Sequence, residues 1–150
     1  MDIPHGGYVL VCDGSKGLLF RNQGDMEYPY LQTVWCDEVE SLPNREQASD
    51  RPGRRSDTTT HKSAMPQEDM HAREEEQFVL ALLEHVEETV QEKQIEHLII
   101  VAAPKTLGHV RKHIGKALKP LIKAEVDKDL VHHESRDIED ILKAHGTGVE

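Results

Sequence analysis

Three observations predict an α/β fold, a mixed five-stranded sheet with flanking helices in the element order βββαβαβα. The N-terminal third holds three short apolar runs separated by turn signals, a long polar stretch follows, and the remainder alternates helical periodicity with apolar strands. At 150 residues the chain has the length of a single domain, 1–150, with a moderate core.

The run YVLVCD, Tyr8 to Asp13, is apolar almost throughout; GSKG turns the chain, and LLFRN, Leu18 to Asn22, comes next. QGDMEYPY turns it again into LQTVWCDEV, Leu31 to Val39, which completes an antiparallel meander. From Glu40 to about Met70 apolar residues nearly vanish, while Pro43, Pro52, Gly53 and Pro66 appear. Leu42, Ala48, Ala64, Met65 and Met70 are too sparse to offset a backbone ordering cost of roughly 1 kcal/mol or more per residue. Residues 40–72 are therefore expected to form a long, disordered, mobile loop before the first helix.

From about Arg73 to Gln94 the period becomes helical, with Val79, Leu82, Leu83, Val86 and Val90 on one face and Glu84, Glu87, Glu88 and Gln91 on the other. HLIIVAA then reads as a parallel strand buried on both faces. A second helix is expected from about Lys105 to Lys119, with Leu107, Val110, Ile114 and Leu118 inward and Pro120 as its stop. A short strand at Lys123 to Asp127 and a helix from Arg136 to His145, with Ser135 as N-cap, complete the order. Three antiparallel strands followed by right-handed βα crossovers correspond to an α/β sandwich of the ribonuclease H-like type.

A net charge of −10 argues against nonspecific coating of nucleic acid, which rests on excess cations, so any anion-binding face must be local. One such face is legible. Pro104 to Lys123 contains five lysines, one arginine and no acid, and a helical wheel places Lys105, His109, Lys112, Lys116 and Lys119 in a stripe, with Arg111 beside it. Two readings stand: a solvated face whose lysines balance the acids of the preceding helix, or a patch for RNA phosphate or an acidic partner. Gly108 alone cannot supply the amide nest of a diphosphate site, and neither a GxGxxG nor a GxxxxGK motif occurs.

Neither metal nor cofactor is expected. Cys12 and Cys36 sit in strand-like runs without CxxC or Cys-His spacing and read as buried thiols of a reducing compartment. Asp13 stands where a nuclease carboxylate could, but it is more simply the first residue of the DGSKG turn. Among ten histidines, the His109/His113 pair lies amid lysines that repel a cation, and His132-His133-Glu134 lacks an HExxH frame. No GxSxG elbow is present, and Ser15 has no assignable base. No stretch approaches the roughly eighteen apolar residues of a membrane span, and no secretory leader is evident, so a cytoplasmic protein without membrane contact is expected.

At IIVAAPKTLGHVRKHI, together with the downstream AEVDKDL and the upstream RPGRRSD and HAREEEQF, the chain resembles the bacterial host attachment proteins, described as required for attachment to host cells. The likeness runs over nearly the whole chain. That family is similar in turn to the middle domain of the eukaryotic and archaeal peptide-chain release factors, which implies the same ribonuclease H-like sheet. In release factors a Gly-Gly-Gln on the loop before the long helix enters the peptidyl transferase centre and promotes peptidyl-tRNA hydrolysis. The equivalent loop here, Glu40 to Met70, contains RPGRRSDTTTHKSAMPQ and no Gly-Gly-Gln; the sole Gly-Gly, Gly6-Gly7, precedes the first strand. The resemblance thus implies the architecture without the hydrolytic tripeptide. The expectation is a non-enzymatic module that binds the ribosome, structured RNA or an acidic protein through Lys105, His109, Arg111, Lys112, Lys116 and Lys119 and through Arg51, Arg54 and Arg55 of the loop. Alternatives are a protein-interaction factor with an indirect effect on attachment and a metal-dependent ribonuclease H-like hydrolase.

Overall fold

A computed structural model describes residues 2–39 and 67–145. Strands β1 (Tyr8–Cys12), β2 (Lys16–Asn22) and β3 (Leu31–Glu38) form the expected meander. They are followed by α1 (Gln67–Lys93), β4 (Leu98–Ala102), α2 (Pro104–His113), a 3₁₀ turn (Lys119–Leu121), β5 (Ile122–Asp127) and α3 (Ser135–Ala144). The five strands make one sheet in the order β3-β2-β1-β4-β5. β1 pairs antiparallel with β2 and parallel with β4, and β4 parallel with β5, so the sheet is mixed, as the ribonuclease H-like reading requires.

Why β1 and β4 lie in the middle follows from their composition. All five residues of each are buried, which only a strand covered on both faces can use. Tyr8, Leu10, Cys12, Leu98, Ile100 and Ala102 point to one layer, and Val9, Val11, Ile99 and Val101 to the other. The first layer is filled by Phe78, Val79, Leu82, Leu83 and Val86 of α1 and by Leu107 and Val110 of α2. Both helices share this face because the two crossovers advance in the same direction across the sheet and each is right-handed. Ile138 and Leu142 of α3 cover the opposite face.

The ends of elements depart from the sequence reading. α1 begins at Gln67, so residues 67–72, expected in the loop, are helical; Glu68 and Asp69 are residue types that a first turn favours, and apolar periodicity does not register them. The rest of the expected loop, with Arg51, Arg54 and Arg55, lies outside the described residues. α2 stops at His113 rather than at Lys119: the backbone becomes extended at Ile114, ahead of Gly115. The chain then turns through Gly115, whose carbonyl accepts the Leu118 and Lys119 amides. Ser135 is the first residue of α3, not its cap; Glu134 holds that position without a side-chain cap bond.

β3 forms an outer edge and is tied down by side chains. Trp35 stacks on His85 of α1 at 3.9 Å between ring centroids, and its Nε1 donates to Thr89 Oγ1 at 2.9 Å. His85 Nδ1 lies 2.7 Å from Asp37 Oδ2. The thiol expectation holds for one cysteine of the two. Cys12 is buried, and burial first, then the Asp13 charge, pushes its thiol up to about 12. Cys36 on the outer strand β3 is exposed, contrary to the expectation of a buried thiol. Among the described residues no helix is long and apolar enough to cross a membrane.

Candidate nucleic-acid interface

α2 follows β4 directly, with Pro104 in its first turn, where a missing N–H costs nothing. Burial of Thr106, Leu107 and Val110 against the sheet leaves Lys105, Gly108, Arg111 and Lys112 facing outward. A Cβ at Gly108 would meet nothing within 4 Å, so packing does not require a glycine there. A glycine costs about 1 kcal/mol in a helix interior relative to alanine, and its use on an open face suits close approach by a partner's backbone. His109 departs from the expected exposed stripe: it is half-buried, and its Nε2 is buried without a hydrogen bond among the described residues.

Each cation on the outer face of α2 meets a carboxylate. Lys105 Nζ lies 3.2 Å from Glu75, and Lys112 Nζ lies 3.1 Å from Glu76. Arg111 donates through Nε and Nη2 to Glu125 of β5, both at 2.8 Å. His113 bonds Glu76 as well. Exposed pairs of this kind stabilise by about 0–1 kcal/mol each, so their main consequence is local cancellation of charge. Balancing of α1 acids by α2 lysines, one of the two readings of the stripe, therefore describes Lys105 and Lys112.

Glu76 shows this coupling most strongly. Hydrogen bonds from His113, then from Lys112, hold its carboxyl down at about 2, against an ordinary 4.5. A carboxylate whose folded pKa is depressed stabilises above its unfolded value and loses that contribution as pH falls through its folded one. The melting temperature of wild type is expected to exceed that of Glu76→Gln above pH 4.5, the difference shrinking between pH 4.5 and 2. Thermal scans of both proteins over that range check it; a difference independent of pH would show that the α1–α2 pair is not coupled to Glu76 ionisation.

Past the end of α2 the balance changes. Lys116, Lys119 and Lys123 are exposed, and their side chains make no ion pair among the described residues. Because the helix ends at His113, Lys116 and Lys119 belong to the turn and 3₁₀ segment rather than to a helical stripe. Arg111 and Lys119 line a shallow hollow of about 350 Å³ whose apolar walls are Ile114 and Ile122, with Glu125 at its edge. The unneutralised positive charge thus sits at Lys116–Lys123, centred later in the chain than the sequence placed it. Lys123 was not among the expected residues, and its place at the start of an edge strand is the signal that would have found it.

Other candidates resolve simply. Asp13 Oδ1 accepts the Ser15 amide at 2.8 Å, the Ser15 hydroxyl at 3.2 Å and the Lys16 amide at 2.8 Å, so it organises the β1–β2 turn. His132, His133 and Glu134 are all exposed. Among the described residues no group of three or more His, Cys, Asp or Glu is placed to hold a metal ion.

An uncharacterized protein of Rickettsia prowazekii (strain Madrid E) is 34% identical over 68 residues, a match spanning 44% of this chain and 45% of that protein. A family model for bacterial archaeo-eukaryotic release factors matches residues 7–142, from the first strand to the last helix. The release-factor part of the resemblance seen in the sequence is thereby established, and the chain belongs to the bacterial archaeo-eukaryotic release factor family 12.

Proposed function

We propose that this protein is a non-enzymatic, cytoplasmic, translation-related binding module that contacts ribosomal or other structured RNA through the Lys116–Lys123 segment and the outer face of α2. The observation that carries the reading is the run of exposed, unpaired Lys116, Lys119 and Lys123, of which Lys119 lines the Arg111 hollow, on a chain of net charge −10. Local positive charge on an acidic protein steers phosphate to one place and repels it elsewhere. Ile114 and Ile122 give the hollow an apolar lining suited to an unstacked base, and Gly108 leaves room for a phosphate to approach α2. Family membership supports a translation context, and the absence of Gly-Gly-Gln supports binding without peptidyl-tRNA hydrolysis. The loop arginines, Arg51, Arg54 and Arg55, would add further phosphate contacts in this reading.

Charge reversal separates the paired from the unpaired cations. Lys116→Glu/Lys119→Glu is expected to weaken binding to ribosomes or structured RNA by roughly tenfold or more and to reduce the salt slope by about 2. Lys105→Glu/Lys112→Glu should do less, since Glu75 and Glu76 already offset those charges. Titrations of each variant across salt concentrations check this. No salt-dependent binding by wild type near physiological ionic strength would end the proposal.

The attachment role implied by the sequence resemblance enters as an indirect consequence of partner binding, supported by the quoted motifs alone. A ribonuclease H-like hydrolase has less support, because Asp13 spends its carboxylate on the β1–β2 turn.

A further inference from the structure

The loop between β2 and β3 carries the three large apolar side chains that are most exposed among the described residues: Met26 at 53%, Tyr28 at 71% and Tyr30 at 59%. An apolar residue in a hairpin loop is ordinary; three of them on a rigidly held loop are not. Asn22, fully buried at the end of β2, donates from Nδ2 to the carbonyls of Ile3 at 2.8 Å, Pro4 at 3.3 Å and Asp25 at 3.3 Å. Its Oδ1 accepts the amides of Gly24 and Tyr30, both at 2.9 Å. Asp25 Oδ1 accepts the Glu27 and Tyr28 amides at 3.0 and 2.7 Å, and the Gln23 amide donates to the Tyr30 carbonyl at 2.8 Å. The loop is thus fixed before any partner arrives, so association would not have to bear the cost of ordering it.

Charge decides what such a loop would receive. Residues 23–30 contain Asp25 and Glu27 and no lysine or arginine, and Glu139 lies alongside, accepting the Leu31 amide at 2.6 Å. Arg21, bonded to Gln23, and Lys143, over Tyr28, flank the loop, so three carboxylates stand against two cations and the local balance is acidic. The chain itself demonstrates the chemistry: the Lys143 ammonium sits 5.2 Å from the Tyr28 ring centroid and also donates to the Glu27 carbonyl. Aromatic anchors and a carboxylate rim are the complement of a protein surface bearing arginine or lysine beside aliphatic side chains.

We infer that the Met26-Tyr28-Tyr30 loop is a preorganised docking surface for a basic, aliphatic segment of a partner protein. It is independent of the lysine-bordered RNA face and rests on different residues.

The test uses two blocked octapeptides, alternating arginine with leucine and glutamate with leucine, titrated into the 150-residue protein at 0.15 M salt. NMR signals of the Met26 methyl and the Tyr28 and Tyr30 rings are followed. The arginine peptide is expected to shift these signals and to bind at least tenfold more tightly than the glutamate peptide. Tyr28→Ser/Tyr30→Ser, whose exposed side chains are not needed for packing, should weaken the arginine peptide tenfold or more while leaving the amide spectrum of the core unchanged. Failure of the arginine peptide to shift these signals overturns the inference, as does equal binding by the glutamate peptide or by the double variant. Shifts of the same signals by oligouridylate would reassign the loop to nucleic acid, and concentration-dependent broadening without peptide would reassign it to a second copy of the chain; either result also overturns it.

Discussion

Asn22→Ala is expected to lower stability by about 2–3 kcal/mol, a large effect for a residue in what reads as a turn. The side chain is fully buried and makes five hydrogen bonds to backbone groups. Removing it leaves the buried Ile3 carbonyl without that donor and releases the Gly24 and Tyr30 amides; a buried polar group left unsatisfied costs roughly 1–3 kcal/mol. Replacement with aspartate should cost still more at neutral pH. The new carboxylate would face the Ile3 and Pro4 carbonyls, acceptor against acceptor, with its charge out of water. Urea unfolding of the three proteins tests the order: wild type most stable, then alanine, then aspartate. A cost below about 1 kcal/mol for alanine would mean that the Asp25 turn and the Gln23–Tyr30 bond hold the loop without Asn22, and the part of the preorganisation argued from Asn22 would lose its support.

The sheet was legible in the sequence for a definite reason. β1 and β4 are buried on both faces and so are apolar at every position, while the length and polarity of what separates them leave a crossover as the economical connection. α1 announced its inward face through Val79, Leu82, Leu83 and Val86, which a 3.6-residue period brings together. Local signals failed where tertiary partners decide. Lys105 and Lys112 have the same local appearance as Lys116 and Lys119, and only the packing of α1 beside α2 shows that the first two face Glu75 and Glu76. Cys36 reads as buried from an apolar run, but on the outer strand β3 it is exposed. Asn22 and the aromatic loop are a third case. Asparagine near a glycine is an ordinary turn signal, and nothing in QGDMEYPY says that the asparagine is inside and the tyrosines outside.

The packing of α1 on the meander yields the other large effect. Leu82 is 1% exposed, and it fits over β2 because position 17 has no side chain: a Cβ on Gly17 would lie 2.5 Å from Leu82 Cδ1 and 2.7 Å from Cδ2. Leu82→Ala should therefore cost about 2–5 kcal/mol, the transfer energy of the lost carbons plus the cavity left between helix and sheet. Gly17→Ala should cost about 1–3 kcal/mol by overpacking, since the buried leucine has little room to turn away. The two changes together are expected to cost less than their sum, by about 1 kcal/mol or more, because the methyl group at 17 enters the space vacated at 82. Loss of this contact bears on the basic face as well. α1 supplies Glu75 and Glu76, so loosening it should release Lys105 and Lys112 and enlarge the unneutralised patch without changing a single charge. Equilibrium unfolding of the four proteins of the cycle measures the coupling. Strict additivity would show that Gly17 and Leu82 do not share one space between α1 and β2.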